Sequence, residues 1–216
     1  MLEKMSDFFE KRLDGYDEHM LNEIEFAKEF YPFTASLLPL EKDSRILDLG
    51  CGTGLELEEY YKLCPSAKVT GIDLSKEMLK ALKNKFREKE ISLIQGSYFE
   101  VPFPEKDFDG AVSVESLHHF RKEEKLLLYQ KLHRALKNGA YFILTDYFAS
   151  SDEEEAMHFE TLFKLKAEQG IKDKEFYHYD TPLTADHEQE ILVEAGFSRV
   201  EIIKSWGATY TIKAAK

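Results

Sequence analysis

Two periods of apolar residues alternate along this chain. Short, mostly apolar runs at Arg45 to Leu49, Ala67 to Ile72, Ile91 to Gly96, Ala111 to Val114 and Ala140 to Tyr147 have the length and the β-branched or aromatic content of buried strands. Between them, apolar residues recur every three or four positions. Met78, Leu79, Leu82 and Phe86 follow Ser75 in this way, and a further stretch from Arg121 stops at Asn138-Gly139. That spacing predicts amphipathic helices, with Ser75 as an N-cap. Strand and helix in regular alternation predict a parallel sheet covered by helices on both faces.

The flanks have a different texture. Residues 1–40 read as helical but interrupted at Pro32 and Pro39, and they carry Phe8, Phe9, Tyr16, Phe26, Phe30, Tyr31 and Phe33. After the fifth strand, Ser151-Asp152-Glu153-Glu154 is a capping-box pattern, and Ala156, Phe159, Leu162 and Phe163 form a stripe that predicts one short helix ending near Gly170. This helix and the loop Lys172 to Pro182 would lie at the carboxyl ends of strands four and five, where open α/β sheets bind ligands, and so form a candidate lid. Within that loop, Tyr177-His178-Tyr179-Asp180 either lines a pocket or covers an edge of the core. Thr184 begins another helix, and Ser198 to Lys204 with Ala208 to Lys213 read as a hairpin around Trp206-Gly207. The organisation expected is one domain over residues 1–216, with 1–40 as a helical cover and 150–183 as a lid insertion.

Composition narrows the class. The chain has 216 residues, 43% of them hydrophobic, enough for one substantial core, and no apolar run long enough to span a bilayer. The N-terminus lacks a basic-then-apolar secretion pattern, so a cytoplasmic address is expected. A formal net charge of −12 repels polyanions, which argues against nucleic acid as a partner. Cys51 and Cys64 have neither disulfide-framework nor metal-ligand spacing and read as reduced and structural.

Candidate chemistry is concentrated where the first strand runs into Gly50-Cys51-Gly52-Thr53-Gly54 and then into a helix. A glycine turn between strand and helix lets backbone approach a ligand closely. About 20 residues on, the second strand ends in Asp73, where a carboxylate accepts hydrogen bonds from ribose hydroxyls. A dinucleotide loop reads G-x-G-x-x-G, whereas here G-x-G-x-G is followed by Leu55-Glu56 and preceded by Asp48. A carboxylate aimed into the turn disfavours a pyrophosphate and favours a ligand carrying an ammonium group.

Leu47-Asp48-Leu49-Gly50-Cys51-Gly52-Thr53-Gly54 resembles the first motif of the class I S-adenosylmethionine-dependent methyltransferases, and the likeness extends in order over roughly residues 40 to 215. The resemblance implies a Rossmann-like, doubly wound α/β fold. Its seven-stranded, mostly parallel sheet has the order 3214576 with the last strand antiparallel, N-terminal helices and a small helical lid. It implies S-adenosylmethionine as cofactor, with Tyr16, Asp48, Gly50, Cys51, Gly52, Asp73, Leu74, Ser97, Tyr98 and Glu115 in contact with it. Leu74 would pack on the adenine, Ser97 would replace the acidic residue many relatives use at the adenine amino group, and Glu115 would meet the methionine part. Gly15-Tyr16-Asp17 resembles a Tyr-Asp pair found in family N-terminal segments.

His118 and His119 follow the fourth strand and are the candidate catalytic residues, since imidazole can deprotonate an oxygen, nitrogen or thiol acceptor. Leu-His-His-Phe is widespread in the family, so a structural or cofactor-positioning role competes. Glu115, His118 and His119 stand at i, i+3 and i+4 and could share one face of a helical turn around a metal. Relatives that bind an ion there show E-x-x-E-H, His118 replaces the second glutamate, and no fourth ligand is evident, so no metal is expected. The function expected is methyl transfer to a small molecule. The alternatives are an S-adenosylmethionine or S-adenosylhomocysteine-binding protein without transfer, a sensor or partner subunit, and a nicotinamide-dependent oxidoreductase that the glycine spacing argues against. The sequence leaves the acceptor and the oligomeric state open.

Overall fold

A computed structural model describes residues 1–172 and 175–216; residues 173–174 of the expected lid loop lie outside the described residues. Five strands run parallel: β1 (Arg45–Leu49), β2 (Lys68–Asp73), β3 (Ile91–Gln95), β4 (Phe108–Val114) and β5 (Leu136–Tyr147). The closing hairpin of β6 (Arg199–Trp206) and β7 (Thr209–Ala215) folds back so that β7 pairs antiparallel with both β5 and β6. The sheet order is β3-β2-β1-β4-β5-β7-β6, as expected.

The central strands carry apolar residues on both faces because both faces are covered. Alternate residues feed opposite cores. Ile46, Val112, Val114 and Ile143 join α3 (Ala27–Ser36), α4 (Leu55–Leu63) and α5 (Lys76–Lys85), while Leu47, Leu49, Ala111, Phe142 and Leu144 join α6 (Lys122–Ala135) and α8 (Ala185–Glu194). Ser75 caps α5 by accepting from Met78 N at 3.2 Å. Behind the sheet, Lys125 of α6 and Glu188 of α8 form a fully buried ion pair at 2.6 Å, and Tyr129 donates to the same carboxylate.

Three local expectations change. Helix α3 continues through Pro32 rather than breaking there, because Phe30, Tyr31, Thr34 and Ala35 on its inner face are buried. Their burial offsets the cost of an interior proline, about 3 kcal/mol. Helix α6 ends at Ala135, before Asn138-Gly139. Its terminal carbonyls are taken by Lys106 N and Asp107 N, Leu136 pairs with Phe108, and Gly139 at φ 78° sits in the irregular stretch of the β4–β5 register. The insertion helix α7 (Asp152–Glu168) has 17 residues and is not short. Ser151 caps it by accepting from Glu154 N, but the Glu154 carboxylate returns to Ser150 N at 2.7 Å. Phe163 is half exposed beneath the Arg121 guanidinium instead of facing the core.

The N-terminal helices α1 (Met5–Lys11) and α2 (Tyr16–Glu23) are tied to the rest by specific bonds. Met5 N donates to Phe176 O and His178 N to Glu3 O, which joins α1 to the segment after α7. That segment is pinned in turn by Thr181 N to His118 O at 2.8 Å. Both elements thus cross the carboxyl ends of β1, β2, β4 and β5, at the switch point between β1 and β4.

Candidate functional site

Chain direction changes sharply after each central strand, and the side chains released there converge. Gly50, after β1, has φ 75°, and a Cβ on it would stand 2.0 Å from Ser116 Oγ in the turn after β4. Only glycine fits this left-handed, crowded position. Asp73, at the end of β2, accepts from Gly52 N at 2.9 Å and Ser75 N at 2.8 Å. Burial raises its pKa, and these N–H donors counteract the rise. Gly50, Gly52, Asp73, Leu74, Tyr98, Glu115 and Tyr16 line a narrow central cavity of about 50 Å³, covered by Met5 and Phe9 of α1.

Asp48 and Cys51 do not line it. Asp48 lies beneath the turn, hydrogen-bonded to Glu56, and both carboxyls are pushed upward chiefly by burial. Among the described residues, Asp48 Oδ2 and Glu56 Oε1 have no hydrogen-bond partner. Buried carboxyl oxygens without a donor, directly behind a glycine turn, suit a cationic ligand on the other side. The Cys51 thiol packs against Gly71 and is buried and free, as Cys64 is.

Beyond Asp73 the crevice opens into a cavity of about 560 Å³ lined by Met5, Leu74, Gln95, Gly96 and Ser97. Ser97 Oγ accepts from Phe99 N at 3.2 Å, and the Tyr98 hydroxyl donates to Ser116 O at 3.1 Å. In the opposite direction lies a cavity of about 820 Å³, whose wall includes Phe8, Phe9, Tyr16, Glu115, His118, His119, Tyr147, His178 and Asp180. It shares Phe9, Tyr16, Glu115 and His119 with the central crevice. The three spaces form one trench.

Glu115 has φ 48°, a conformation that costs a non-glycine residue about 1–3 kcal/mol, and it turns the side chain into the trench. Burial and the neighbouring Asp146 raise its pKa to about 8. His118 Nδ1 meets Asp146 Oδ1 at 2.5 Å, and Asp146 is fixed by Leu117 N at 2.8 Å and Tyr147 N at 2.9 Å. Burial opposes protonation of His118, yet Asp146 and Asp180 outweigh it and raise its pKa well above the ordinary value. His119 goes the other way: burial and the His118 charge lower it, so it is the neutral member of the pair. His119 Nδ1 lies 3.2 Å from Asp180 Oδ1 and 3.3 Å from Tyr179 O. His178 stacks on Phe8 and is held down to about 4, mainly by burial.

Several lining residues carried no sequence signal. Met5 belongs to an ordinary amphipathic turn, Phe9 stood out only as one of many N-terminal aromatics, Ser116 matters only through Gly50, and Asp146 only through His118. Asp17 was legible as part of Gly15-Tyr16-Asp17. It accepts from Thr53 Oγ1 and pairs with Lys85 at 2.7 Å, which ties α2 to the glycine turn and sets Tyr16 over the trench.

Comparison with known proteins agrees with this architecture. A family model described as "Methyltransferase domain" matches residues 46–139, from β1 to the start of β5. The carboxy-S-adenosyl-L-methionine synthase of Nautilia profundicola is 25% identical over 230 residues, covering 100% of this chain and 96% of that protein. The demethylmenaquinone methyltransferase of Listeria welshimeri is 30% identical over 150 residues, 67% of this chain and 62% of that protein. Human N-acetylserotonin methyltransferase, solved in complex with S-adenosylmethionine, superposes with a TM-score of 0.63 at 21% identity, over 88% of this chain and 52% of that one. With the motif at Asp48 to Gly54, Asp73 closing β2 and the 3-2-1-4-5-7-6 sheet beneath them, the chain belongs to the class I S-adenosylmethionine-dependent methyltransferases.

Proposed function

We propose that the enzyme transfers the methyl group of S-adenosylmethionine to a small organic acceptor held in the 820 Å³ cavity. The observation that carries this reading is the junction of the two spaces at Tyr16, Glu115 and His119, which lets an acceptor reach the cofactor crevice without crossing solvent. In this reading Asp73 holds the ribose hydroxyls, and Leu74, Ser97 and the Tyr98 backbone serve the adenine. Gly50 and Gly52 give close backbone approach, and Glu115 meets the methionine part. The unpartnered oxygens Asp48 Oδ2 and Glu56 Oε1, behind the turn, favour the ammonium and sulfonium.

The bound cofactor supplies an electrophilic sulfonium methyl. The protein's part is to align the acceptor atom with it and to exclude water, which Met5, Phe9 and Tyr16 favour from above. Where the acceptor is protonated, the neutral His119 is placed to take its proton, with His118 held by Asp146 as the fixed polar wall. The net charge of −12 and the cavity's size favour a small acceptor over nucleic acid.

The end-to-end similarity to a carboxy-S-adenosyl-L-methionine synthase raises a second reading, attachment of a carboxyl group to the cofactor. A carboxylate built beside the methyl carbon would face Asp180, while the nearby cations His118, Lys11 and Arg12 are already engaged, His118 by Asp146 and Asp180 and the other two by Glu3. That electrostatic mismatch favours methyl transfer. The test is titration with S-adenosylmethionine, S-adenosylhomocysteine and NAD, then incubation with methyl-labelled cofactor and a panel of phenols, amines, thiols and carboxylic acids. Labelled product together with S-adenosylhomocysteine supports the reading. Tight binding with no labelled product identifies a binding protein, and a carboxylated cofactor on mass spectrometry identifies the synthase.

A further inference from the structure

We propose that His118, His119 and Asp180 form a binding site for a divalent transition-metal ion in the wall of the larger cavity. One ligand atom from each residue can be chosen so that all three lie within 4.8 Å of one another. His118 Nε2 stands 3.6 Å from Asp180 Oδ1, and His119 Nδ1 stands 3.2 Å from it. Around an ion with bonds of about 2.0–2.1 Å, neighbouring ligand atoms sit about 3.3 Å apart, a spacing that both histidine–carboxylate pairs already approach.

The surroundings are those of a ligating histidine. Metal-bound imidazole almost always gives its other N–H to a carboxylate, a backbone carbonyl or water, which fixes the ring and its tautomer. His118 Nδ1 is on Asp146, itself buried and held by two backbone N–H groups, so Nε2 is the nitrogen presented to the cavity. Asp180 comes from the segment after α7, which Thr181 N anchors to His118 O, so the carboxylate is brought to the two histidines by backbone and not by chance of rotamer. Charge agrees as well. Asp146 and Asp180 face the histidines, and among the described residues no lysine or arginine forms an ion pair with either carboxylate.

Two imidazoles and one carboxylate suit ions of the zinc, iron(II) or cobalt(II) kind better than magnesium or calcium. Three protein ligands leave positions open to the cavity, where an acceptor oxygen could bind and lose its proton more easily. With an ion bound, His119 gives its lone pair to the metal and no longer serves as a base. The role in acceptor binding rests on the methyl-transfer reading, whereas ion binding itself does not.

The test uses Co2+ and Zn2+ on the full chain after treatment with a chelator. Saturable binding of one Co2+ per chain is expected, with visible d–d bands that Zn2+ displaces. Asp180→Asn, in a partly exposed loop, should weaken binding at least 10-fold, and Asp146→Asn by roughly 10–100-fold through loss of histidine orientation. His118→Ala should abolish the bands. His187→Gln, in a separate histidine–carboxylate cluster, should leave them unchanged. No saturable binding, or bands that survive Asp180→Asn and His118→Ala unaltered, overturns the site. Failure of S-adenosylhomocysteine to bind with the cobalt spectrum intact would instead overturn the methyl-transfer reading and leave the metal site standing.

Discussion

Replacing Asp73 by asparagine keeps the shape of the crevice and removes one charge. In the native protein Oδ2 accepts from Gly52 N and Oδ1 from Ser75 N. An amide can satisfy only one of these donors and must turn its NH2 toward the other, leaving a backbone N–H without an acceptor. That costs about 1–3 kcal/mol of stability. For a chain of this size the melting temperature should fall by roughly 2–12 °C. The ligand loses more selectively. Each hydrogen bond from a ribose hydroxyl to the carboxylate contributes about 1.5–3 kcal/mol, so loss of one charge-assisted bond weakens S-adenosylhomocysteine by about 10–150-fold. Calorimetric titration well below the lowered melting temperature separates the two effects, with adenine alone as a control whose affinity should hardly change. A variant that binds S-adenosylhomocysteine within threefold of wild type would refute the placement of the ribose at Asp73. Equal loss for adenine and S-adenosylhomocysteine would show that the crevice itself had collapsed.

Three further outcomes follow from other parts of the molecule. Gly50→Ala should weaken cofactor binding more than 10-fold, because its Cβ would meet Ser116 Oγ at 2.0 Å and its φ of 75° disfavours alanine. Adding Ser116→Gly should recover part of that loss, and no recovery in titration would refute the steric account. Glu188→Gln strands the buried Lys125 ammonium and should destabilise by about 3–5 kcal/mol in denaturant melts, whereas Lys125→Met with Glu188→Leu should cost far less. Finally, the Glu155 carboxylate raises the pKa of His187 above its ordinary 6.5, at a 2.9 Å contact that also ties α7 to α8. A raised folded-state pKa gives stability that is fully present below pH 6.5 and lost as pH rises through the folded value. His187→Gln should therefore lower stability relative to wild type below pH 6.5 and match it in alkali, by under about 1 kcal/mol because the pair is partly exposed. A difference that grows with pH in paired melts would contradict this sign.

The sheet, its helices and the glycine turn were legible in the order of residues, because these depend on short-range periods and turn chemistry. Ile46, Leu47 and Leu49 put apolar side chains on both faces of the first strand, Ser75 caps the helix after the second strand, and Asp73 stands at a fixed distance beyond Gly50. Local pattern failed where long-range packing overrode it. Helix α3 passes Pro32 because its inner face is buried, and α6 yields at Leu136 because Phe108 offers a strand partner. The roof of the trench and the lining of its far end depend on contacts between segments distant in the chain. Met5 and Phe9 reach the crevice through backbone bonds between α1 and the segment after α7. His118, Asp146 and Asp180, 28 residues apart for the first two, meet only when β4, β5 and that segment are assembled. Glu115, His118 and His119 looked incomplete as a metal set in sequence because the carboxylate that joins the two histidines lies on a different element, and proximity between elements has no local signature.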